Sequence, residues 1–193
     1  MKKYSKRYYE KLWEVLNNVE IKNNMGKNKS LDDTVNKIVK ILRTLKIKDN
    51  KVIFIGNGGS AGIASHQAID YWKNGDIPAI NFNNSSLLTC IGNDFGYEFV
   101  FEKPIKMFGK KGDVLVAISS SGKSKNILNA VKAAKKKGLF VITMSGFSKN
   151  NPLREMGDAN FYVPSNAYGL VEICHLIISH TILDTHLITD LGE

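Results

Sequence analysis

Two small polar loops, two histidines and a few carboxylates carry most of the chemistry this sequence offers. The first loop, Gly56-Asn57-Gly58-Gly59-Ser60-Ala61, follows the apolar run Val52–Ile55 and opens a helical stretch that continues to about Lys73. Backbone N–H groups of such a turn, joined by a hydroxyl at a helix N-terminus, make a site for an anion or a polyol. The second loop, Ser119-Ser120-Ser121-Gly122-Lys123-Ser124, separates the apolar run Val114–Ile118 from a helical stretch at Asn126–Lys137. Its hydroxyls and backbone N–H groups can cradle one phosphate with no metal. His66 and Asp70 are i and i+4 on the helix after the first loop, so they share one face. A pair so spaced can bind one metal ion, or can simply hydrogen-bond at the surface. In the C-terminal helix, spacing alone pairs Glu172 with His175 at i+3, or His180 with Asp184 at i+4. Glu172 and His180 lie eight residues apart, about 12 Å along a helix.

Both loops approach better-known nucleotide motifs and miss them. The first fits the loose G-x-G-x-x-A dinucleotide fingerprint, which also needs an acid at the end of the next strand to hold a ribose. That strand ends Asn81-Phe82-Asn83-Asn84, and Asp76 precedes it, which argues against a nicotinamide-dependent oxidoreductase. The second resembles a Walker A loop but begins at Ala117 where glycine belongs. It also lacks a matching strand-ending acid for magnesium, which argues against a nucleotide triphosphatase.

The elements that must position these residues are legible in the periodicity. Tyr8, Leu12, Val15, Leu16 and Val19 recur at helical spacing, followed by a polar loop over 22–29. A second helix begins at Ser30, with Asp33 three residues on as a capping-box variant, and carries the stripe Leu31, Val35, Ile38, Val39, Leu42 and Leu45. Strands are expected at Val52–Ile55, Ala79–Phe82, Val114–Ile118, Phe140–Met144 and Phe161–Val163. Helices are expected between them, with a short one at Ser85–Ile91 and a long one at about Tyr168–Leu187. Apolar strands alternating with helices imply a parallel sheet covered on both faces, with ligands beyond the carboxyl ends of its strands. One α/β domain spanning 1–193 is expected, with a helical N-terminal extension over 1–50 and a parallel α/β core over 51–193.

Composition narrows the function classes. The 193 residues are 43% hydrophobic and 23% charged, which suits a globular chain and excludes general disorder. The net charge is +9. Residues 1–51 hold 14 basic and 6 acidic side chains against 13 and 12 in the remainder, so the excess belongs to the N-terminal helices. It is mostly lysine, with only Arg7 and Arg43 there to form bidentate forks. A solvated helical face explains it better than a nucleic-acid partner. No apolar run approaches a membrane span, and the N-terminus has no signal-like apolar region, so a cytoplasmic location is expected. Cys90 and Cys174 cannot make a disulfide framework. Cys174 is expected to be a small core residue, with thiolate ligation the alternative, and His175 to be buried or to support the site. His186, near the C-terminus, is expected to be exposed.

Taken together, four blocks resemble the sugar isomerase (SIS) domains, and within them the phosphoheptose isomerase family. They are Gly56–His66 (GNGGSAGIASH), Ile91–Phe101 (IGNDFGYEFVF), Gly112–Ser124 (GDVLVAISSSGKS) and Val171–His180 (VEICHLIISH). With the helical N-terminus they span nearly the whole chain. The resemblance implies a flavodoxin-like three-layer fold, a homotetramer with active sites at subunit interfaces, and one zinc ion per subunit. It implies an aldose–ketose isomerase, an intramolecular oxidoreductase. This would interconvert sedoheptulose 7-phosphate and D-glycero-D-manno-heptose 7-phosphate through an enediol(ate), supplying heptose for lipopolysaccharide or capsule.

Carried over by position, the resemblance places metal ligands at His66, Asp70, Glu172 and His180. Substrate contacts fall on Asn57, Gly58, Gly59, Ser60, Asn93 and Asp94, and phosphate contacts on Ser119, Ser120, Ser121 and Ser124. Catalysis falls on Asp70, Glu172 and His180, with one carboxylate as base and His180 as its acid partner. Three positions depart from the family pattern. Its catalytic Glu is Asp70 here, its Gln is Glu172, and a position often acidic is Gly169. The alternative readings are a non-catalytic SIS protein that binds phosphosugars or regulates, and an isomerase of another phosphosugar.

Overall fold

In the computed structural model, residues 4–191 are described, with side-chain surroundings through residue 188. Six strands form one sheet: β1 (Glu20–Asn23), β2 (Val52–Gly56), β3 (Ala79–Asn81), β4 (Val114–Ser119), β5 (Phe140–Ser145) and β6 (Ala159–Tyr162). Their spatial order is β1-β6-β5-β4-β2-β3, and every pairing is parallel except β1 with β6. The five parallel strands therefore follow the flavodoxin-like order 2-1-3-4-5. Phe54 stands beside Val116, and Val116 beside Ile142, so the central register is level.

The sheet is apolar on both faces, and the alternation within each strand decides which layer a side chain enters. Phe54, Val116, Ile118, Ile142 and Met144 face α1 (Tyr4–Asn17), α2 (Leu31–Leu45), α3 (Gly59–Lys73) and α7 (Tyr168–Leu191). Ile53, Ile55, Leu115, Ala117 and Val141 face α5 (Glu102–Phe108) and α6 (Lys125–Lys137). This is the three-layer α/β arrangement expected from the sequence. The Ser30 cap also forms, its Oγ accepting from Asp33 N at 3.1 Å.

Four features differ from the sequence reading. The first residues of the expected loop at 22–29 belong to β1, which extends the sheet antiparallel at one edge. In Glu20-Ile21-Lys22-Asn23 only Ile21 is buried, so an edge strand with one apolar residue leaves no periodic signal. It is held by ion pairs from Arg154 and Lys149 to Glu20. Second, α4 (Ser85–Phe95) runs one turn past Ile91, straight through Gly92, which reads as a stop. Third, His186 is buried, and its Nε2–H reaches Gly75 O at 3.0 Å. Fourth, α7 is long and apolar enough to cross a bilayer by length and composition. It instead packs on α1, α2, α3 and β5, which makes it the core helix of its layer.

Candidate functional site

The two loops seen in the sequence meet at the carboxyl ends of neighbouring strands. They line one cavity of about 240 Å³ with Tyr168 and Glu172 of α7. The serine loop turns tightly between β4 and α6. Gly122 has φ +62, its N–H donates to Ser119 O at 2.9 Å, and a Cβ there would meet Asn151 Oδ1 at 2.0 Å. Ser119 and Ser120 are 5% exposed. Ser124 stands at the N-terminus of α6 without spending its hydroxyl on a cap bond; its Oγ instead lies 3.4 Å from Ser119 Oγ. Ser120 Oγ is buried and has no hydrogen-bond partner among the described residues. Hydroxyls held this way, beside the positive end of a helix dipole, suit a phosphate.

The glycine-rich loop is fixed from the side. Asn57 and Asn126 exchange amide hydrogen bonds of 3.0 and 2.9 Å, and Tyr97 Oη donates to Asn57 Oδ1 at 3.2 Å. Asn126, Tyr97 and Tyr168 are site residues that the sequence did not single out. Asn57 and Asn126 are 69 positions apart, so no spacing signal could pair them. Ser60 lines the cavity from the first turn of α3. Gly59 packs against α7 so closely that a Cβ would stand 2.4 Å from Glu172 Oε1.

Helices α3 and α7 run side by side in the same direction, and their contacts form a ladder. Gly59 meets Glu172, Gln67 meets His180, Tyr71 Oη donates to Ser179 O at 3.2 Å, and Gly75 meets Leu183. His66, Asp70 and His180 gather along this seam, beyond the cavity. His66 Nε2 lies 3.1 Å and His180 Nε2 4.0 Å from Asp70 Oδ2, and the two imidazoles are 5.7 Å apart between centroids. Among the described residues these three form the one group of His, Cys or carboxylate side chains close enough to share an ion. Ligand atoms around one zinc at about 2.0–2.2 Å are themselves about 3–4 Å apart, so the donors present fit a divalent cation. The side chains are partly open, His66 55% exposed, His180 36% and Asp70 16%.

The structure thus joins three of the four expected ligands and sets the fourth, Glu172, on the cavity wall. Of the substrate positions, Asn57 to Ser60 and Ser119, Ser120, Ser121 and Ser124 converge on the cavity. Asn93 and Asp94 lie on exposed α4, with Asn93 lining a separate open groove beside Tyr97 and Cys90. His175 is fully buried beneath the cavity and donates from Nε2 to Ser145 O at 3.2 Å. Burial pushes its pKa down to about 4, so the ring stays neutral. Cys174 is buried outside the His66 cluster, and burial lifts its thiol to about 11, which leaves it protonated at neutral pH. Both cysteines are free.

Comparison with known proteins agrees with this fold. The family model described as SIS domain matches residues 7–146. A phosphoheptose isomerase of Sulfurimonas denitrificans is 35% identical over 190 residues, covering 95% of this chain and 94% of that one. The structure of a phosphoheptose isomerase from Neisseria gonorrhoeae superposes with a TM-score of 0.74 at 32% identity, over 81% of this chain and 87% of that chain. One from Francisella tularensis shares the fold at a TM-score of 0.78 and 24% identity, over 96% and 98% of the two chains.

Proposed function

Because this chain belongs to the SIS domain family and, within it, to the phosphoheptose isomerases, we propose that it interconverts sedoheptulose 7-phosphate and D-glycero-D-manno-heptose 7-phosphate. The observation that carries the reading is that a phosphate-sized serine cradle opens at the Gly59–Glu172 end of the α3–α7 seam, whose further turns carry the His/Asp/His cluster. The serines and the α6 N-terminus hold the distal phosphate. That anchor fixes the sugar chain relative to the seam and brings its carbonyl end to the acid–base groups. Asn57, Gly58, Gly59 and Ser60 line the same cavity and can meet the sugar's hydroxyls.

Aldose–ketose exchange moves a proton between two neighbouring carbons, which needs a base, an acid and stabilisation of the enediolate oxygens. Asp70 or Glu172 takes the proton from the carbon beside the carbonyl, and His180 serves the oxygen. His66, Asp70 and His180 would hold a zinc ion, with Glu172 the fourth candidate. Zinc held there would supply Lewis-acid polarisation of the substrate oxygens. Retention of the cluster favours catalysis over a purely binding role, because a binding module needs the cradle alone.

The reading also includes a homotetramer whose subunits complete one another's sites, and a cytoplasmic place in making heptose for lipopolysaccharide or capsule. The open groove that holds Asn93, away from the cavity of its own chain, fits a contribution across a subunit boundary. The test is to incubate zinc-loaded protein with sedoheptulose 7-phosphate and follow aldose formation by NMR. Conversion supports the isomerase. Absence of conversion in folded, zinc-loaded protein overturns it in favour of a phosphosugar-binding role.

A further inference from the structure

The cavity between the two loops has a third side, and it comes from α7. Tyr168 and Glu172 stand i and i+4 on that helix, so they share the face that lines the cavity. Glu172 reaches the glycine-rich end, against Gly59. Tyr168 meets Phe147 edge to face, with ring centroids 4.7 Å apart and planes at 85°. Phe147 follows Gly146, whose N–H donates to Ser120 O at 2.9 Å, so the aromatic pair flanks the serine end. Phe147 has φ +54, in the left-handed region. A bulky residue adopts that conformation only where its surroundings impose it. Here its N–H donates to Ser165 O at 2.9 Å, and its carbonyl accepts from Tyr162 Oη at 2.8 Å. Both bonds tie the end of β5 to the segment that leads into α7, and together they aim the Phe147 ring at Tyr168.

We propose that Tyr168 is a further substrate-binding residue, its hydroxyl donating to the sugar's distal phosphate, and that Phe147 is the positioning residue that holds its ring there. The cavity lining contains no lysine, arginine or histidine, and its one carboxylate is Glu172. A phosphate bound there must be met by neutral donors. The serine hydroxyls and backbone N–H groups are such donors, and a phenolic O–H gives an anion a stronger one. Core packing does not explain the residue, because Tyr168 is 64% exposed. It is held at the cavity rim without being buried. A tyrosine side chain has only two torsions, so a ring set edge to face against a neighbour presents its hydroxyl at small entropic cost. The strained backbone of Phe147 thus serves the cavity, by keeping one aromatic donor beside Ser120.

This inference rests on reading the serine loop as the phosphate cradle, and Ser120→Ala is its reference. Affinity for sedoheptulose 7-phosphate is measured by calorimetry, and inorganic phosphate is titrated as its competitor. Both are followed, with kcat and KM, in wild type, Tyr168→Phe, Phe147→Gly and Phe147→Tyr. Tyr168→Phe keeps the ring and loses the donor. It should weaken the sugar phosphate and inorganic phosphate alike by about 10-fold and raise KM to match, with kcat and thermal stability little changed. Phe147→Gly accepts the positive φ but removes the ring, so it should reproduce the loss of affinity, and Phe147→Tyr should retain wild-type binding. Unchanged affinity in Tyr168→Phe would overturn the proposal. A loss confined to the sugar phosphate, with inorganic phosphate competing as before, would overturn it too, since the hydroxyl would then contact the sugar. Binding weakened by Ser120→Ala and not by Tyr168→Phe would leave the cradle standing and remove Tyr168 from it. A wild type that binds neither ligand would bring down the cradle reading and this proposal together.

Discussion

In the proposed reading the serine cradle and the His66–Asp70–His180 cluster serve one substrate, yet they are built from different materials. The cradle is backbone architecture. Its serines stand where β4 gives way to α6, Gly122 holds the turn at φ +62, and buried Asn151 fills the space beside it. The cluster is side-chain architecture, three flexible groups projecting from the middle of two helices onto a half-open rim. The cradle is set by loop backbone at the carboxyl end of the sheet, whereas the cluster depends on the α3–α7 register and, in the proposed reading, would hold an ion. Binding is therefore expected to tolerate changes that abolish chemistry, and the two regions should fail independently.

The largest effect is expected at the cluster. Asp70→Asn removes the carboxylate that both histidines face, and kcat should fall by about 10²–10⁴. The cradle is untouched, so affinity for the sugar phosphate should stay near wild type in equilibrium binding. Equal loss of affinity and turnover would erase the distinction between the two regions.

Acid should act on the cradle side. The His175 pKa is about 4 in the folded protein against 6.5 for the free side chain. Between those values the unfolded chain takes up a proton that the folded one refuses. The stability from keeping this ring neutral is full above about pH 6.5 and is lost as pH falls towards 4, on the order of 3 kcal/mol in all. Urea unfolding at pH 7 and pH 4.5 should show this loss in wild type and a smaller one in His175→Gln.

Gly122→Ala should cost about 1–3 kcal/mol, because an L side chain at positive φ would also press on Asn151. Asn151 cannot easily yield, since its amide donates to Ser145 Oγ, Gly146 O and Ser148 O. Thermal denaturation reads the cost, and KM should rise with it. Ser120→Ala is the mildest and cleanest change. The hydroxyl has no described protein partner, so stability should hold while KM for the phosphosugar rises roughly tenfold.

The same contrast explains what could be read in advance. The strands and the cradle were legible because buried parallel strands are continuous apolar runs and because glycine and serine punctuate their ends. His66 with Asp70 was legible as an i, i+4 pair. The edge strand β1 was not, since a single inward side chain gives no period. The short helix α5, with Pro104 in its first turn, gave no periodic run either. Nor was the partnership of His180 with residues more than a hundred positions earlier, because the α3–α7 register is set by packing through Gly59, Tyr71 and Gly75 rather than by local sequence. Glu172 makes the limit plain. Its spacing to His180 suggested two separated positions, the family resemblance suggested one shared ion, and the structure sets its carboxylate against Gly59 at the cavity end of the seam.

The most direct test is to strip the protein of metal, saturate it with sedoheptulose 7-phosphate and titrate zinc back while following aldose formation. If the cradle binds and the cluster converts, the stripped protein holds the sugar phosphate but turns over slowly, and the rate climbs to a plateau at one zinc per chain. Full turnover in the stripped protein, with no response to zinc, would contradict that division of labour.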